Sequence, residues 1–347
     1  MSATRRSTFI ALTLFATFLS AGTFASANEL DHPYRILQLE PAGEQDPLSV
    51  VTAVAIQPGR RLVATSGDDH RVRVWELSTG KLVREFDGHA DWVHSAAFSP
   101  DGRLLTTAGA DGKILVCDCG DSRHVEAWKQ TIFARQDAAI ARVVFSPDGT
   151  KLAVAGFNSG LNVYDVSSRR RELSLGCPCD DMRAVAVSPR GDLLAGGGRN
   201  GHIRLWSLET GEAIRDVQAH RQRIRSLAFT ADQSRILSTG EDCTVRVWSV
   251  NDGQLVRNLP RHPCKVLAMT MCGSQLLATA GSDNQIRIWD LDSGSIIGVL
   301  TGHTGSVAAL DFSRELLMSG SYDTTARIWN LNRIEKSASL KRSAHQR

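Results

Sequence analysis

The 347-residue sequence has no marked excess of charge of either sign. It contains 40 lysine and arginine residues against 37 aspartate and glutamate residues. Arg5 and Arg6 lie in a predicted signal peptide, and without them the balance is 38 basic to 37 acidic residues. Binding to nucleic acid or to a membrane surface depends on a strongly basic surface. The composition therefore gives no support for either class of partner.

The sequence motifs of common catalytic sites are also missing. No glycine-rich phosphate loop, nucleophile elbow or HExxH zinc motif occurs. The stretch Cys177-Pro178-Cys179 could bind a soft metal, but no second pair of ligands follows at zinc spacing. We therefore expect no enzymatic activity, no cofactor and no metal.

Residues 1–27 have the three parts of a cleaved signal peptide. Arg5 and Arg6 form a basic start, an apolar stretch follows from Phe9 to Phe18, and Ala25-Ser26-Ala27 is a small-residue cleavage site. The apolar stretch is too short for a secure membrane span, so no stable span is expected in the mature chain. The predicted location is periplasmic or extracellular, and the arginine pair favours a bacterial envelope protein. Membrane anchoring through an uncleaved N-terminal segment is the alternative.

Beyond residue 33, one pattern of about 40 residues occurs seven times. Each unit holds short apolar runs separated by turns such as Ser99-Pro100-Asp101-Gly102, in which proline and glycine favour the turn conformation. Successive units are offset by 42, 47, 42, 42, 41 and 40 residues. The aligned closing residues are Trp75, Cys117, Tyr164, Trp206, Trp248, Trp289 and Trp329.

The last unit, Gly302 to Leu331, shows the full pattern, from a Gly-His pair to the closing Ile328-Trp329-Asn330. Seven such units in phase resemble the WD40-repeat family, whose repeats form four-stranded blades of a β-propeller. The resemblance implies an all-β fold, a seven-bladed WD40 β-propeller. Because the last unit has only three strands, the alternating segment Tyr34–Glu40 is expected to supply the fourth strand and close the ring.

Four regions are predicted along the chain. They are a signal peptide at 1–27, an N-terminal linker at 28–33, the propeller at 34–332 and a disordered basic tail at 333–347. We expect one monomeric propeller that works within a complex.

The resemblance also implies a buried network of His, Ser or Thr, Asp and Trp that holds each blade together. With the blades numbered one to seven in chain order, the matching residues in blades two, five, six and seven are His89, Thr107 and Asp111; His220, Ser238, Asp242 and Trp248; His262, Thr279, Asp283 and Trp289; and His303, Ser319, Asp323 and Trp329. A His beside an Asp can be catalytic, but a pair that recurs in four blades indicates a structural role.

Blade two has Cys117 in place of the Trp, and three other blades also depart from this pattern. Blade one has Thr65, Asp69 and Trp75 but no His. Blades three and four depart most, with Gln136 and Pro178 near the His position, Ala155 and Gly196 in place of the hydroxyl, and Asn200 in place of the Asp. Because each lost hydrogen bond is worth roughly 1 kcal/mol, we expect blades three and four to be less firmly held.

In this family, partners commonly dock on one face, made by the loops that lead into each blade and by the Asp-bearing turns; we call it the loop face. The matching positions favour a basic arc over blades four to six, flanked by two aromatic residues, as in many protein interfaces. We expect a protein or peptide partner that carries acidic residues, although any single one of these charges could be an ordinary solvated residue. The candidate partner-binding residues are Trp92, His94, Arg183, Arg199, Arg223, Arg225, Glu241, Lys265 and Tyr322.

Seven cysteines add two possibilities. Cys117 and Cys272 are expected in the core, whereas Cys243 and Cys264 lie on loops of neighbouring blades and could form a disulfide in an oxidising compartment. The odd count leaves at least one cysteine unpaired. The expected function is a non-catalytic protein–protein interaction scaffold. An exported propeller that senses a ligand or metal through its cysteine-bearing loops, and a propeller enzyme, are the alternatives.

Overall fold

The computed structural model describes residues 33–39, 48–59, 61–120, 125–176, 181–332 and 334. The predicted signal peptide, the predicted linker except residue 33, and the predicted tail except residue 334 lie outside the described residues. Cys177 and Cys179 lie outside them as well.

The described residues form seven four-stranded antiparallel sheets, which are the seven blades of the predicted propeller. In blades one to six the strands follow chain order from the channel to the rim, because short turns join antiparallel neighbours. The strands of blades one to three are β2 Val51–Ile56, β3 Leu62–Gly67, β4 Arg71–Glu76, β5 Leu82–Asp87; β6 Val93–Phe98, β7 Leu104–Gly109, β8 Lys113–Asp118, β9 Gln130–Arg135; β10 Ile140–Phe145, β11 Lys151–Gly156, β12 Leu161–Asp165 and β13 Arg171–Leu175.

The remaining blades repeat this order. Their strands are β14 Met182–Val187, β15 Leu193–Gly198, β16 His202–Ser207, β17 Ala213–Gln218; β18 Ile224–Phe229, β19 Arg235–Gly240, β20 Val245–Ser249, β21 Leu255–Asn258; β22 Val266–Cys272, β23 Leu276–Gly281, β24 Ile286–Asp290, β25 Ser295–Leu300; and β26 Val307–Ser313, β27 Leu316–Ser321, β28 Thr325–Asn330. A short 3₁₀ helix, Val125–Ala127, precedes β9. Among the described residues, no helix has the length and apolar character needed to cross a bilayer.

The N-terminal strand β1, Arg35–Gln38, is the rim strand of blade seven. It pairs antiparallel with β28, with Arg35 opposite Ile328 and Gln38 opposite Thr325. The predicted closure of the ring is therefore confirmed. Pairing the two ends of the propeller in one blade leaves no unpaired strand edge between them.

The core lies between neighbouring blades, where the apolar faces of their sheets meet. Leu105 and Cys117 of blade two, for example, pack against Ala55 and Val74 of blade one. Cys117 and Cys272 are buried, as predicted. Because each sheet is covered on both faces, its central strands are apolar on both sides. Stacking the blades in this way brings the seven innermost strands, β2, β6, β10, β14, β18, β22 and β26, around one channel.

Candidate functional site

Blades seven and five contain the complete four-residue network. In blade seven, His303 Nδ1 lies 2.7 Å from Asp323 Oδ2 and His303 Nε2 lies 2.7 Å from Ser319 Oγ, to which Trp329 Nε1 also donates, at 2.9 Å. Burial alone would raise the pKa of Asp323, but hydrogen bonds from His303 and Thr325 outweigh it and lower the pKa.

The corresponding contacts of blade five have similar lengths. His220 lies 3.0 Å from Asp242 and 2.7 Å from Ser238, and Trp248 donates to Ser238 at 3.0 Å. In Asp242, too, burial is outweighed by hydrogen bonds from His220 and a threonine, so the pKa is lowered.

Blade two lacks only the tryptophan. His89 lies 3.1 Å from Asp111 and 3.0 Å from Thr107, and Cys117 stands where the indole would be. Burial lowers the pKa of His89, so the ring is neutral at physiological pH. Its side chain is fully buried, like that of His220. These His–Asp pairs stabilise the blades and are closed to a substrate.

Blade six has all four residues but differs from the predicted network. Trp289 donates to Thr279 at 2.7 Å and Thr279 lies 3.2 Å from His262. Asp283, however, pairs with Arg287 at 2.6 Å, and His262 Nδ1 is buried without a hydrogen-bond partner among the described residues. The predicted His262–Asp283 contact is therefore absent, and Arg287 and the Cys264 thiol hold the Asp283 carboxylate instead. Burial is the main cause that lowers the pKa of His262, to about 4, and the charge of Arg287 acts in the same direction.

Blades one and three replace missing members of the network differently. In blade one, Trp75 donates to Thr65 at 2.8 Å, and Asp69 accepts from Arg73 instead of a histidine. In blade three, Gln136 donates weakly to the Tyr164 hydroxyl at 3.4 Å.

Blade three also leaves three buried polar atoms without a hydrogen bond within the described part of the chain. They are Gln136 Oε1, Ser159 Oγ and Asn162 Oδ1. Such atoms lose their hydration without gaining a partner, so this blade has an incomplete substitute for the network.

In blade four, apolar side chains occupy the place of the network. A Cβ atom at Gly196 would lie 2.5 Å from Met182 Cε and 2.6 Å from Leu161 Cδ1. Met182, Leu161 and Trp206 are all buried. Blade four therefore lacks the hydrogen bonds of the network but fills its volume.

A cavity of about 210 Å³ opens at the centre of the loop face, and we call it the mouth cavity. Five of the predicted partner-binding residues line it: Trp92, His94, Arg183, Arg225 and Tyr322. Trp92 and Tyr322 are 44% and 48% exposed, so both aromatic rings are open to a partner. The complete lining is Thr52, Trp92, His94, Ala141, Arg142, Phe157, Arg183, Arg225, Leu267, Ala308 and Tyr322.

The other predicted residues lie around this cavity or away from it. Glu241 is half-buried and forms an ion pair with Arg225 of the lining, and the half-buried Arg223 pairs with Glu241 in turn. Arg199 and Lys265 are exposed and do not line the cavity. The basic arc is therefore not a continuous part of the cavity wall.

Ion pairs neutralise much of the basic arc. Asp181 lies 2.8 Å from Arg183 Nε and 3.3 Å from Arg223, and Glu241 lies 3.2 Å from Arg223 and 3.3 Å from Arg225. Burial lowers the pKa of Arg225, with Arg183 and Arg223 acting in the same direction and Glu241 in the opposite one. The three arginines and two carboxylates of this cluster leave about one positive charge.

Aromatic rings form one wall of the mouth cavity. The His94 ring lies 6.5 Å from the Trp92 ring and 5.7 Å from the Phe157 ring, and the Arg183 guanidinium lies 4.0 Å above the Phe157 ring. This is the geometry of a cation–π contact. Burial is the main cause that lowers the pKa of His94, so His94 is a neutral member of the wall.

Sequence reasoning missed Phe157, although a signal was present. Phe157 precedes Asn158 as Tyr322 precedes Asp323, so the rule that identified Tyr322 would also have identified Phe157 if Asn158 had been aligned with the aspartates.

Arg142 was missed as well. It lines both the mouth cavity and a deeper cavity of about 310 Å³ within the channel, which we call the channel cavity. Strand pairing places Arg142 opposite Ala155, in the register that holds only alanine or serine in the other six blades. Those six residues are Ala53, Ser95, Ala184, Ser226, Ala268 and Ala309.

Asp311 is a second charged residue of the channel cavity. Its Oδ2 accepts a hydrogen bond from the Ile56 backbone N–H at 2.7 Å. Burial raises the pKa of Asp311 to about 6, although this hydrogen bond and the charge of Arg142 act in the opposite direction. Asp311 is thus hydrogen-bonded to the backbone of the neighbouring blade one.

The cysteines of the described residues are all free thiols. The possible Cys243–Cys264 disulfide is therefore wrong for this structure. The Cys264 thiol is hydrogen-bonded to Asp283, and Cys243 Sγ lies 3.7 Å from the Glu241 carbonyl oxygen. The described residues contain no cluster of three or more His, Cys, Asp or Glu side chains that could hold a metal ion.

Comparison with known families identifies six copies of the WD domain, G-beta repeat. They match residues 42–76, 80–118, 171–207, 211–249, 253–290 and 294–330, well over half of the chain. The segment between the second and third matches holds most of blade three, the blade that departs from the network throughout.

Three relatives have similar identity over shorter stretches. Transcription initiation factor TFIID subunit 5 of Caenorhabditis elegans is 31% identical over 137 residues, which are 40% of this chain and 19% of that protein. Small ribosomal subunit protein RACK1 of Neurospora crassa and MST50-interacting protein 11 of Pyricularia oryzae are each 30% identical over 114 residues, 33% of this chain and 34% of theirs. The chain thus spans about a fifth to a third of these curated relatives. The six repeat matches, together with the seven blades, show that the chain belongs to the WD40 repeat family.

Proposed function

We propose that this protein is a non-catalytic scaffold that binds a protein or peptide at the mouth cavity of its loop face. The observation that carries the proposal is the placement of two exposed aromatic rings, Trp92 and Tyr322, beside the arginines that line one cavity. Large aromatic side chains and arginines are the residues that most often anchor a protein interface.

The names of the relatives support the same class of function. One is a subunit of a transcription initiation factor, one is a ribosomal subunit protein, and one is named for its interaction with another protein. Each name describes a protein that works in association with others. We extend only this general property to the present chain, as one monomeric propeller within a complex.

The buried His–Asp pairs favour a scaffold over an enzyme. In blades two, five and seven the histidine side chain is at most 1% exposed, so a substrate has no access to it. The same pair recurs in blade after blade, as a structural element does and a single active site does not. An enzyme that uses the channel is the weaker alternative.

We also propose that the protein is exported, because residues 1–27 have the composition of a signal peptide. Export with cleavage predicts a mature N-terminus at Asn28 in an extracytoplasmic fraction. Mass spectrometry of the intact protein from its native cells distinguishes this from the alternative, a chain that keeps residues 1–27 and sediments with membranes.

The test of the scaffold proposal is affinity capture from the native extracytoplasmic fraction with three forms of the protein. Wild type is compared with a Trp92→Ala/Tyr322→Ala double variant and with Tyr34→Ala. Tyr34 is a matched control because it is 56% exposed but lies beside the rim strand of blade seven. Mass spectrometry identifies the retained proteins.

The proposal predicts that wild type and Tyr34→Ala retain the same protein and that the double variant loses it while keeping its melting temperature. Equal retention by all three forms, or no specific retention by wild type, would contradict the proposal.

A further inference from the structure

We propose that the mouth cavity is a carboxylate-binding pocket in which a glutamate or aspartate side chain of a partner peptide docks on Arg142. The inference rests on the proposed function and names the chemical group that the loop face recognises.

The first argument is the position of Arg142 in the repeat. Six blades have alanine or serine in this register of the innermost strand, where space is limited by the neighbouring blade. In blade two, the hydroxyl oxygen of the small Ser95 accepts a hydrogen bond from the Val143 backbone N–H at 3.1 Å, a contact that joins neighbouring blades. An arginine is not needed to build a blade, since six blades form without one.

The second argument is the missing counterion. Three arginines and no aspartate or glutamate occur among the described residues that line the mouth cavity. Arg183 and Arg225 pair with carboxylates behind the wall, but Arg142 makes no ion pair with a described residue. Arg142 is partly buried in the cavity wall, and burial lowers the pKa of its guanidinium. An anion bound beside it would restore the lost interactions, because charged groups away from water need a paired charge.

Asp311 does not fill this role. It is the charged group that acts on Arg142 in the channel, but it forms no ion pair with Arg142 within the described residues. Its Oδ2 instead accepts the hydrogen bond from Ile56. The guanidinium of Arg142 thus retains donors for an incoming oxygen, and a carboxylate can accept two parallel N–H bonds from one guanidinium.

Charge favours a carboxylate over a phosphate. The cluster of Arg183, Arg223 and Arg225 is offset by Asp181 and Glu241, as the ion pairs show. Arg142 adds a fourth cation and Asp311, which acts on it in the channel cavity, a third carboxylate, so the four arginines and three carboxylates together leave about one positive charge. A singly charged carboxylate matches that charge more closely than a phosphate, which carries nearly two negative charges at pH 7.

Size and the cavity walls favour a side chain of a peptide. A cavity of about 210 Å³ is large enough for one or two side chains but too small for a folded element. The rings of Trp92, Phe157 and Tyr322 surround the arginines, so residues next to the acidic one would meet apolar surface. Aromatic contacts of this kind add affinity to a charge-assisted hydrogen bond.

The test begins with a display library of random peptides selected on the purified full-length chain. The inference predicts that the selected peptides share an aspartate or glutamate at one position. Changing that residue to its amide should weaken binding at least tenfold, measured by fluorescence anisotropy with labelled peptide.

Variants of the protein then locate the partner of that acid. Arg142→Ala introduces a residue that other blades have in this register, and it should weaken binding of the acidic peptide at least tenfold. Arg142→Lys keeps the charge and should weaken it less. Arg190→Ala is the matched control, because Arg190 is exposed and lies in the turn at the far end of β14, away from the mouth.

The possible outcomes separate the two proposals. Selected peptides without a shared acid, tighter binding when phosphoserine replaces the acid, or unchanged binding to both Arg142 variants would overturn the carboxylate pocket and leave the scaffold proposal intact. If no peptide is selected, or if binding is insensitive to Trp92→Ala/Tyr322→Ala, the scaffold proposal fails together with it. If Arg142→Ala does not fold, Arg142→Lys and Arg142→Gln provide the same comparison.

Discussion

Blades three and seven are both four-stranded antiparallel sheets, but different side chains hold them together. Blade seven keeps the full network around Ser319 and lies largely within a family match. Most of blade three falls outside the matches, and it keeps none of the four network residues. Each blade also contributes a charged residue to the channel, but Asp311 of blade seven is hydrogen-bonded to blade one, whereas Arg142 of blade three has no ion-pair partner among the described residues.

This comparison distinguishes two kinds of residue in the repeat. Residues that recur in every well-formed blade stabilise the propeller, because each blade needs the same contacts to stack. Residues that occur once, in a register where the fold requires little, are free to serve recognition. Departures from local consistency are expected at functional sites.

The largest expected effect is the removal of the hydroxyl at the centre of the blade seven network. Ser319→Ala leaves both His303 Nε2 and Trp329 Nε1 without their buried partner. The expected loss is about 2–4 kcal/mol of unfolding free energy, since each unsatisfied buried group costs about 1–3 kcal/mol. Urea denaturation measures it.

The matched control is Ser159→Ala in blade three, which is the same chemical change at a buried hydroxyl that has no hydrogen-bond partner among the residues the structure describes. It should leave stability unchanged or raise it by up to about 1 kcal/mol, because an unsatisfied group is removed. Equal losses of unfolding free energy from Ser319→Ala and Ser159→Ala would contradict the expected difference between the two blades.

Acid should weaken blade seven more than blade three. The pKa of Asp323 is lowered by hydrogen bonds that outweigh burial, so the native state keeps this carboxylate ionised at pH values where the unfolded chain has taken up a proton. Its contribution is present above about pH 4 and is lost as the pH falls further.

Replacing this carboxylate should therefore remove part of the acid sensitivity. Asp323→Asn should flatten the fall of stability below pH 4 by about 1–2 kcal/mol. Blade three has Asn158 at the aligned position, and Asn158→Ala should leave the slope unchanged. Chemical denaturation at a series of pH values from 3 to 7 measures both slopes, and parallel curves for wild type and Asp323→Asn would argue against this assignment.

A smaller effect distinguishes blade seven from blade six. His303 has partners on both ring nitrogens, whereas His262 has one on Nε2 and, within the described part of the chain, none on Nδ1. His303→Ala should therefore cost about 1 kcal/mol more than His262→Ala, the value of one net hydrogen bond. Thermal and urea unfolding of the two variants provide the comparison. A larger loss of unfolding free energy for His262→Ala would show that the hydrogen bond at Nδ1, present in blade seven and absent in blade six, does not contribute to stability.

The smallest expected effect on stability is that of Arg142→Ala. The other six blades hold alanine or serine in this register, so the unfolding free energy should change by less than about 0.5 kcal/mol, as for a substitution outside the core contacts. A loss of several kcal/mol would mean that Arg142 stabilises the propeller and would remove the first argument for its role in recognition.

Much of the fold was predictable because the repeat is a local pattern of alternating residues and turns. The closing strand was predictable too, since blade seven had three strands and Tyr34–Glu40 alternates. The broken contact in blade six was not, because Asp242 and Asp323 also have an arginine four residues later and still bind their histidines. Whether the histidine or the arginine binds the carboxylate depends on distances that the sequence does not specify.

The candidate site was predictable in part. The repeat alignment selected Trp92, His94, Arg183, Arg225 and Tyr322, which line one cavity in the structure. The neutralisation of the basic arc was not predictable, because Asp181 of blade four reaches Arg223 of blade five through the packing of neighbouring blades.

The most direct test of the account is a double-mutant cycle between Arg142 and the acidic residue of a selected peptide. Calorimetric titration gives the affinity of the acidic peptide and its amide twin for wild type and for Arg142→Ala. The account predicts that either change weakens binding at least tenfold and that both together weaken it little further, with the melting temperature unchanged. Additive losses would show that the acid and Arg142 do not interact and would contradict the account.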